Sequence, residues 1–227
     1  MSDFPFDIVG FDLDGTLVNT SGDLGAAVNH ALALAGRQPV PLDNIHEMVG
    51  GGAKMLLKQA LERTGGMPAD GFKPYYKALL AYYGEHVSVH SHPYEGCVEA
   101  LEALAAMDVT LAVVTNKFES FARTLLGDLG LLGHFALLVG GDSLGKDADG
   151  QYRAKPMPDP LLHIREECGG GRMAYIGDSS YDVDAAKAAG IPVLVAGWGY
   201  NDRPAGELGG DAVIRGFGEL IPALKAL

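Results

Sequence analysis

The chain is poor in several residue types, and each scarcity excludes a class of function. Two cysteines, Cys97 and Cys168, stand in 227 residues without CxxC spacing, which leaves no disulfide framework and favours a reducing compartment. Basic residues are the minority sign, 17 Lys and Arg against 29 Asp and Glu for a net charge of −12, and they form no run. The electrostatic footprint of a nucleic-acid or anionic-membrane binder is therefore missing. No apolar stretch reaches membrane-spanning length, and "MSDFPFD" has neither the basic start nor the apolar core of a signal peptide, so the cytoplasm is the expected compartment. With 48% apolar and 20% charged residues the composition is that of a folded globular protein.

What is present is a succession of short β-rich apolar runs: "DIVGF" (7 to 11), "VTLAVV" (109 to 114), "FALLV" (135 to 139), "RMAYI" (172 to 176), "IPVLVA" (191 to 196) and "DAVI" (211 to 214). Most lack strict alternation, as strands covered on both faces do. Helical stripes lie between several of them, such as Val98, Leu101, Leu104 and Ala105, and "SYDVDAAKAAG" ends on a glycine stop. This order predicts an α/β fold with a Rossmann-like, doubly wound parallel sheet. Residues 18 to 90 break the alternation with three helical patterns and no convincing strand, which reads as a helical cap inserted after the first strand. The core is then 1 to 17 with 91 to 227, and the chain re-enters it at "HSHPYEG", punctuated by Pro93 and Gly96.

Asp12 and Asp14 crowd the carboxyl end of the first run, where ligands collect in open α/β sheets. Two carboxylates about 4 Å apart at an effective dielectric near 20 repel by roughly 4 kcal/mol, so such a pair calls for a cation or a shared proton. An isolated D-x-D-G would be only a turn. Here, however, Thr115-Asn116-Lys117 and Asp178 follow two further strands, and Lys155 precedes a helical stretch. Phosphoryl transfer through a carboxylate nucleophile uses all of these groups, with a second carboxyl as acid and base, Mg²⁺ as the hard cation, and Lys155 with the Thr115 hydroxyl on phosphate oxygens.

"DLDGT" (12 to 16), "VVTNK" (113 to 117), "AKP" (154 to 156) and "GDSSYD" (177 to 182) together resemble the four ordered motifs of the haloacid dehalogenase superfamily. The resemblance spans essentially the whole chain. It implies Asp12 as nucleophile and Asp14 as acid/base. Mg²⁺ would sit on Asp12, the backbone carbonyl of Asp14, and Asp178. Thr115, Asn116 and Lys155 would hold the phosphoryl group, with Asp182 and Ser179 behind them. The halide-removing members of that superfamily lack an acid at the position of Asp14, which points to phosphate chemistry. The phosphonate-cleaving members carry a cap lysine, for which Lys54 is the candidate here.

Within the cap, "HEMVGGGAKMLLKQAL" (46 to 61) is not a Walker A loop. Gly50 to Gly52, including Gly51 and Gly52, would let the loop approach a substrate, with Lys54 on an anionic leaving group. Together with "VGGD", "PDPLLH" and "GYN", this stretch looks closest to the phosphoglycolate phosphatases within the superfamily. "SLGKDADGQYRAKP" lengthens the connection before Lys155, and Asp147 to Gly150 read as a hairpin turn, since the remaining ligand spacing of a calcium loop is absent. His90 and His92 read as hinge or surface residues, and Tyr75, Tyr76, Tyr82 and Tyr83, at helical spacing, as core. The expected partner is a small-molecule phosphate ester, with no nucleic acid and no membrane, and the chain is expected as a monomer or homodimer. The rival readings are a broad sugar-phosphate or nucleotide phosphatase, a phosphosugar mutase, and a non-enzymatic, phospho-accepting signalling domain.

Overall fold

A computed structural model describes residues 4–227. Its first strand, β1 (Ile8–Phe11), is followed by a two-residue strand β2 (Val18–Asn19) and four helices, α1 (Ser21–Leu34), α2 (Leu42–His46), α3 (Gly52–Arg63) and α4 (Lys73–Glu85). The return strand β3 (His92–Pro93) precedes α5 (Cys97–Ala105), β4 (Thr110–Val114), α6 (Glu119–Asp128), β5 (Leu137–Val139) and α7 (Asp159–Glu167). The chain closes with β6 (Met173–Gly177), α8 (Ser180–Ala189), β7 (Val193–Ala196), β8 (Ala212–Ile214) and α9 (Leu220–Ala226).

All six expected apolar runs become strands of one sheet in the order β5-β4-β1-β6-β7-β8, and every pair is parallel. Side chains alternate between its two faces. Val9, Phe11, Leu111 and Val113 enter one core layer, whereas Ile8, Ala112, Val114 and Tyr175 enter the other. With helices against both faces, no central strand can show a polar face, which is why the runs look continuous in sequence. From β1 the chain order runs outward to β4 and β5 on one side and to β6, β7 and β8 on the other. The crevice at the carboxyl end of β1 is thus a topological switch point, the usual place for a ligand.

One expectation needs correction. The segment 18 to 90 is not free of strand, because Val18–Asn19 pairs antiparallel with His92–Pro93. Two residues are too few to show periodicity, and the pairing links positions more than seventy residues apart. This ribbon ties the two connections between the helical segment and the sheet. Buried Asp23 reinforces it, accepting hydrogen bonds from the Ser91 hydroxyl (2.6 Å) and from the backbone N–H groups of His90 and Ser91. The loop before Lys155 does turn back as a hairpin, Lys146 bridging Tyr152 while the Asp147 carboxylate accepts from the N–H groups of Asp149 and Gln151. That carboxylate is occupied by its own turn.

Candidate active site

Asp12 leaves the carboxyl end of β1, its N–H bonded to the Ile176 carbonyl at 2.8 Å. The next two residues bring Asp14 onto the same loop. Gly15 then turns the chain with φ +89°, and a Cβ there would run into the Asp178 carboxylate and the Tyr200 ring. Only glycine fits that position, for both its backbone angle and its lack of side chain.

Three carboxylates converge here: ligand atoms of Asp12, Asp178 and Asp182 lie within 4.8 Å of one another, and all three residues are buried. Asp178 follows β6, its Oδ1 accepting from the Thr16 hydroxyl (3.0 Å) and its Oδ2 from the Tyr200 N–H (2.6 Å). Asp182 lies in the first turn of α8. Its Oδ2 accepts from the backbone N–H and hydroxyl of Ser179, at 3.0 and 2.6 Å, a reciprocal arrangement that fixes the helix start. Its Oδ1 takes the Lys155 ammonium at 2.6 Å.

Lys155 is the single cation facing this cluster among the described residues. Its Nζ is 2.7 Å from Asp12 Oδ1 and 3.0 Å from the Tyr175 hydroxyl, which in turn donates to the Val114 carbonyl at 2.8 Å. Burial pulls the Lys155 ammonium toward neutrality, but Asp12 and Asp182 outweigh it and raise its pKa. One positive charge cannot neutralise three acids. Burial, partly offset by Lys155 and aided by Asp182, therefore raises Asp12 from 3.8 to about 7. Asp178 is pushed well above the carboxylate range by burial and then by Asp12 and Asp182. Asp12 Oδ1, although close to Lys155, makes no well-directed hydrogen bond. An under-bonded buried oxygen among surplus carboxylates is the donor set a hard divalent cation takes. The residues fit such an ion.

Asp14 stands apart from this cluster. Its two oxygens each lie 2.8 Å from the Lys117 ammonium, and Oδ1 also accepts from the Thr20 hydroxyl at 2.7 Å. Lys117 is buried, and its Nζ sits 4.7 Å above the centre of the Tyr83 ring. Burial lowers its pKa, but Asp14 and Tyr83 more than compensate and keep it charged.

Asp12, Asp14 and Thr115 line a cavity of about 50 Å³ whose opposite wall includes Gly50, Gly52, Leu56, Leu79 and Tyr83 from the helical segment. Asn116 bridges the two walls, its amide donating to the carbonyls of Gly50 (3.0 Å) and Lys155 (3.1 Å). Gly51 is set back against Tyr181 and Met55. Lys54 is exposed and is not among the residues lining the cavity. The cation there is Lys117, the last residue of "VVTNK", for which the sequence pattern alone gives no role. Tyr83, expected as core from its helical spacing, is buried but faces this cavity. Trp198 donates to the Thr16 carbonyl at 3.2 Å and so braces the loop that carries the acids.

The model of the family described as haloacid dehalogenase-like hydrolase matches residues 9–196. A phosphoglycolate phosphatase of Thiobacillus denitrificans is 42% identical, the match covering 96% of each chain. A phosphoglycolate phosphatase of Agrobacterium fabrum is 40% identical over 94% of this chain and 90% of its own. Among solved structures, one described as a predicted phosphoglycolate phosphatase from Haemophilus somnus superposes with a TM-score of 0.86 at 31% identity, over 96% of this chain and 97% of its own.

Proposed function

This chain belongs to the haloacid dehalogenase-like hydrolase family and is a phosphatase, and we propose that its substrate is 2-phosphoglycolate, hydrolysed through an aspartyl phosphate on Asp12 with Mg²⁺ as cofactor. The observation that carries the reading is the convergence of Asp12, Lys155 and Asp178 from three separate segments, beside a cavity that Asp12 also lines. The relatives carrying that activity in their names support the choice of ester.

A carboxylate oxygen of Asp12 attacks phosphorus as the ester P–O bond breaks, and the electron pair stays on the leaving oxygen, which takes a proton from Asp14. Water then attacks phosphorus, passes its proton to Asp14, and releases inorganic phosphate while restoring Asp12. Lys155 holds a phosphoryl oxygen and keeps the Asp12 carboxylate oriented. Thr115, at the carboxyl end of β4, offers its hydroxyl, and Asp182 fixes Lys155. Asp12 and Asp178 would hold the ion, with the Asp14 backbone carbonyl as the third protein ligand. Bound there, Mg²⁺ offsets the negative charge that gathers on the phosphoryl oxygens. The helical segment excludes bulk water from these groups. With both cysteines free and no helix among the described residues long and apolar enough to cross a membrane, we place the reaction in the cytoplasm.

Turnover of a panel of phosphate esters, with Mg²⁺ and after chelation, tests the reading. The expected result is a preference for 2-phosphoglycolate and loss of turnover in chelator. Equal rates on many sugar phosphates would overturn the substrate, and a phosphoryl group persisting on Asp12 for minutes without turnover would indicate signalling.

A further inference from the structure

Lys117 is the one cation among the residues that line the cavity, and the catalytic steps above leave it without a task. Its side chain is 4% exposed, and the ammonium is stowed across both oxygens of Asp14. Facing it from α4, the Tyr83 hydroxyl is buried without a hydrogen-bond partner. Leu24, Leu56, Leu79 and Phe121 make the rest of that wall apolar. A buried hydroxyl left unpaired beside a buried ammonium is an incomplete polar site, since such groups normally find partners. An anion entering the cavity completes it. Any ester whose leaving group carries a carboxylate also needs a cation in this apolar chamber, because an unpaired buried charge is strongly disfavoured.

We propose that Lys117 and Tyr83 form the receptor for the carboxylate of the substrate's leaving group, and that Lys117 exchanges Asp14 for that carboxylate when substrate binds. The exchange frees the Asp14 carboxylate to take up a proton from water and to pass it to the leaving oxygen. Asp14 is one residue beyond the nucleophile's neighbour Leu13, so an ammonium resting on it already stands beside the leaving group. An ester without a second anion leaves Lys117 on Asp14 and the proton donor engaged. Selectivity is thereby expressed in kcat as well as in KM, because the anion completes the catalytic arrangement and does more than tighten binding. This inference rests on the phosphoglycolate reading.

The test compares 2-phosphoglycolate with ethyl phosphate, which keeps the two-carbon leaving group and lacks the carboxylate, on the Mg²⁺-saturated enzyme. Wild type is expected to prefer 2-phosphoglycolate. Lys117→Met should reduce the ratio of the two kcat/KM values by about 100-fold, with KM for 2-phosphoglycolate rising and kcat on ethyl phosphate rising because Asp14 is released. Lys117→Arg should restore part of that ratio, and Tyr83→Phe should lower it about 10-fold, chiefly through KM. An unchanged ratio in Lys117→Met, or an equal fall on both esters, overturns the receptor. If Lys117→Met does not fold, as judged by circular dichroism, an unchanged ratio in Tyr83→Phe overturns it instead. A wild type with no preference defeats the substrate reading itself, whereas a preference that survives the substitutions defeats only the receptor.

Discussion

Replacing Asp12, the proposed nucleophile, should make the metal-free protein more stable, and the size of the effect follows from the site. Asp12 is 5% exposed and its pKa rises from 3.8 to about 7 in the fold, net of the pull of Lys155. Between those values the folded state binds more protons than the unfolded chain, so stability falls as pH rises through that window. The stability associated with Asp12 is intact below pH 3.8 and is lost by pH 8. At about 1.4 kcal/mol per pH unit the full loss is about 4 kcal/mol. Asp12→Asn keeps the shape and cannot ionise. In chelator, its unfolding free energy measured with urea should match wild type near pH 4 and exceed it by up to about 4 kcal/mol at pH 8. Saturating Mg²⁺ should narrow or reverse the gap, since an ion held at 100 times its Kd stabilises wild type by about 2.7 kcal/mol. Turnover should vanish in the variant under both conditions. A gap that does not change with pH, or an Asn variant less stable than wild type at pH 8 in chelator, would refute the view that surplus buried charge sits at Asp12.

Lys155→Met removes the cation shared by Asp12 and Asp182; thermal and urea unfolding should show a loss of about 3–5 kcal/mol at neutral pH, smaller under mildly acidic conditions where Asp12 is protonated. Gly15→Ala forces a Cβ into the Asp178 carboxylate at a φ of +89°, so it should cost at least about 1 kcal/mol and raise the Mg²⁺ concentration needed for half-maximal turnover. Lys54→Ala should leave the preference for carboxylate-bearing esters within about twofold, the exposed side chain having no place in the cavity wall; a steady-state comparison of two esters decides it. Tyr175→Phe removes the hydroxyl that meets Lys155, Asp182 and the Val114 carbonyl, and calorimetry should register a loss of about 1–3 kcal/mol.

Much of this protein is written locally. A strand buried on both faces must be a short apolar run, so each of the six could be found without knowing its neighbours, and the glycine after α8 marks that helix end from its own position. The acids are legible for a related reason: Asp12, Thr115 and Asp178 each follow a strand directly, and in a parallel sheet all strand ends of one kind share an edge. Sequence order alone therefore places Asp12, Thr115 and Asp178 on one rim. Asp182 was reachable from Asp178 by one helical turn.

Lys117, Tyr83, Tyr175 and Tyr200 belong to the other category. Lys117 meets Asp14 across 103 positions, and the Tyr200 hydroxyl accepts the Thr20 N–H across 180. Nothing in the flanking residues distinguishes a core tyrosine from one that faces a cavity, because periodicity names the buried face of a helix and not what lies opposite it. The β2–β3 ribbon is two residues long on each side and exists only because its partner arrives. Pattern and strand-end position determine the layers and the rim on which the chemistry stands. Which cation neutralises which acid, and which wall closes over them, is decided only when distant segments pack, since charge and burial are properties of the assembled interior.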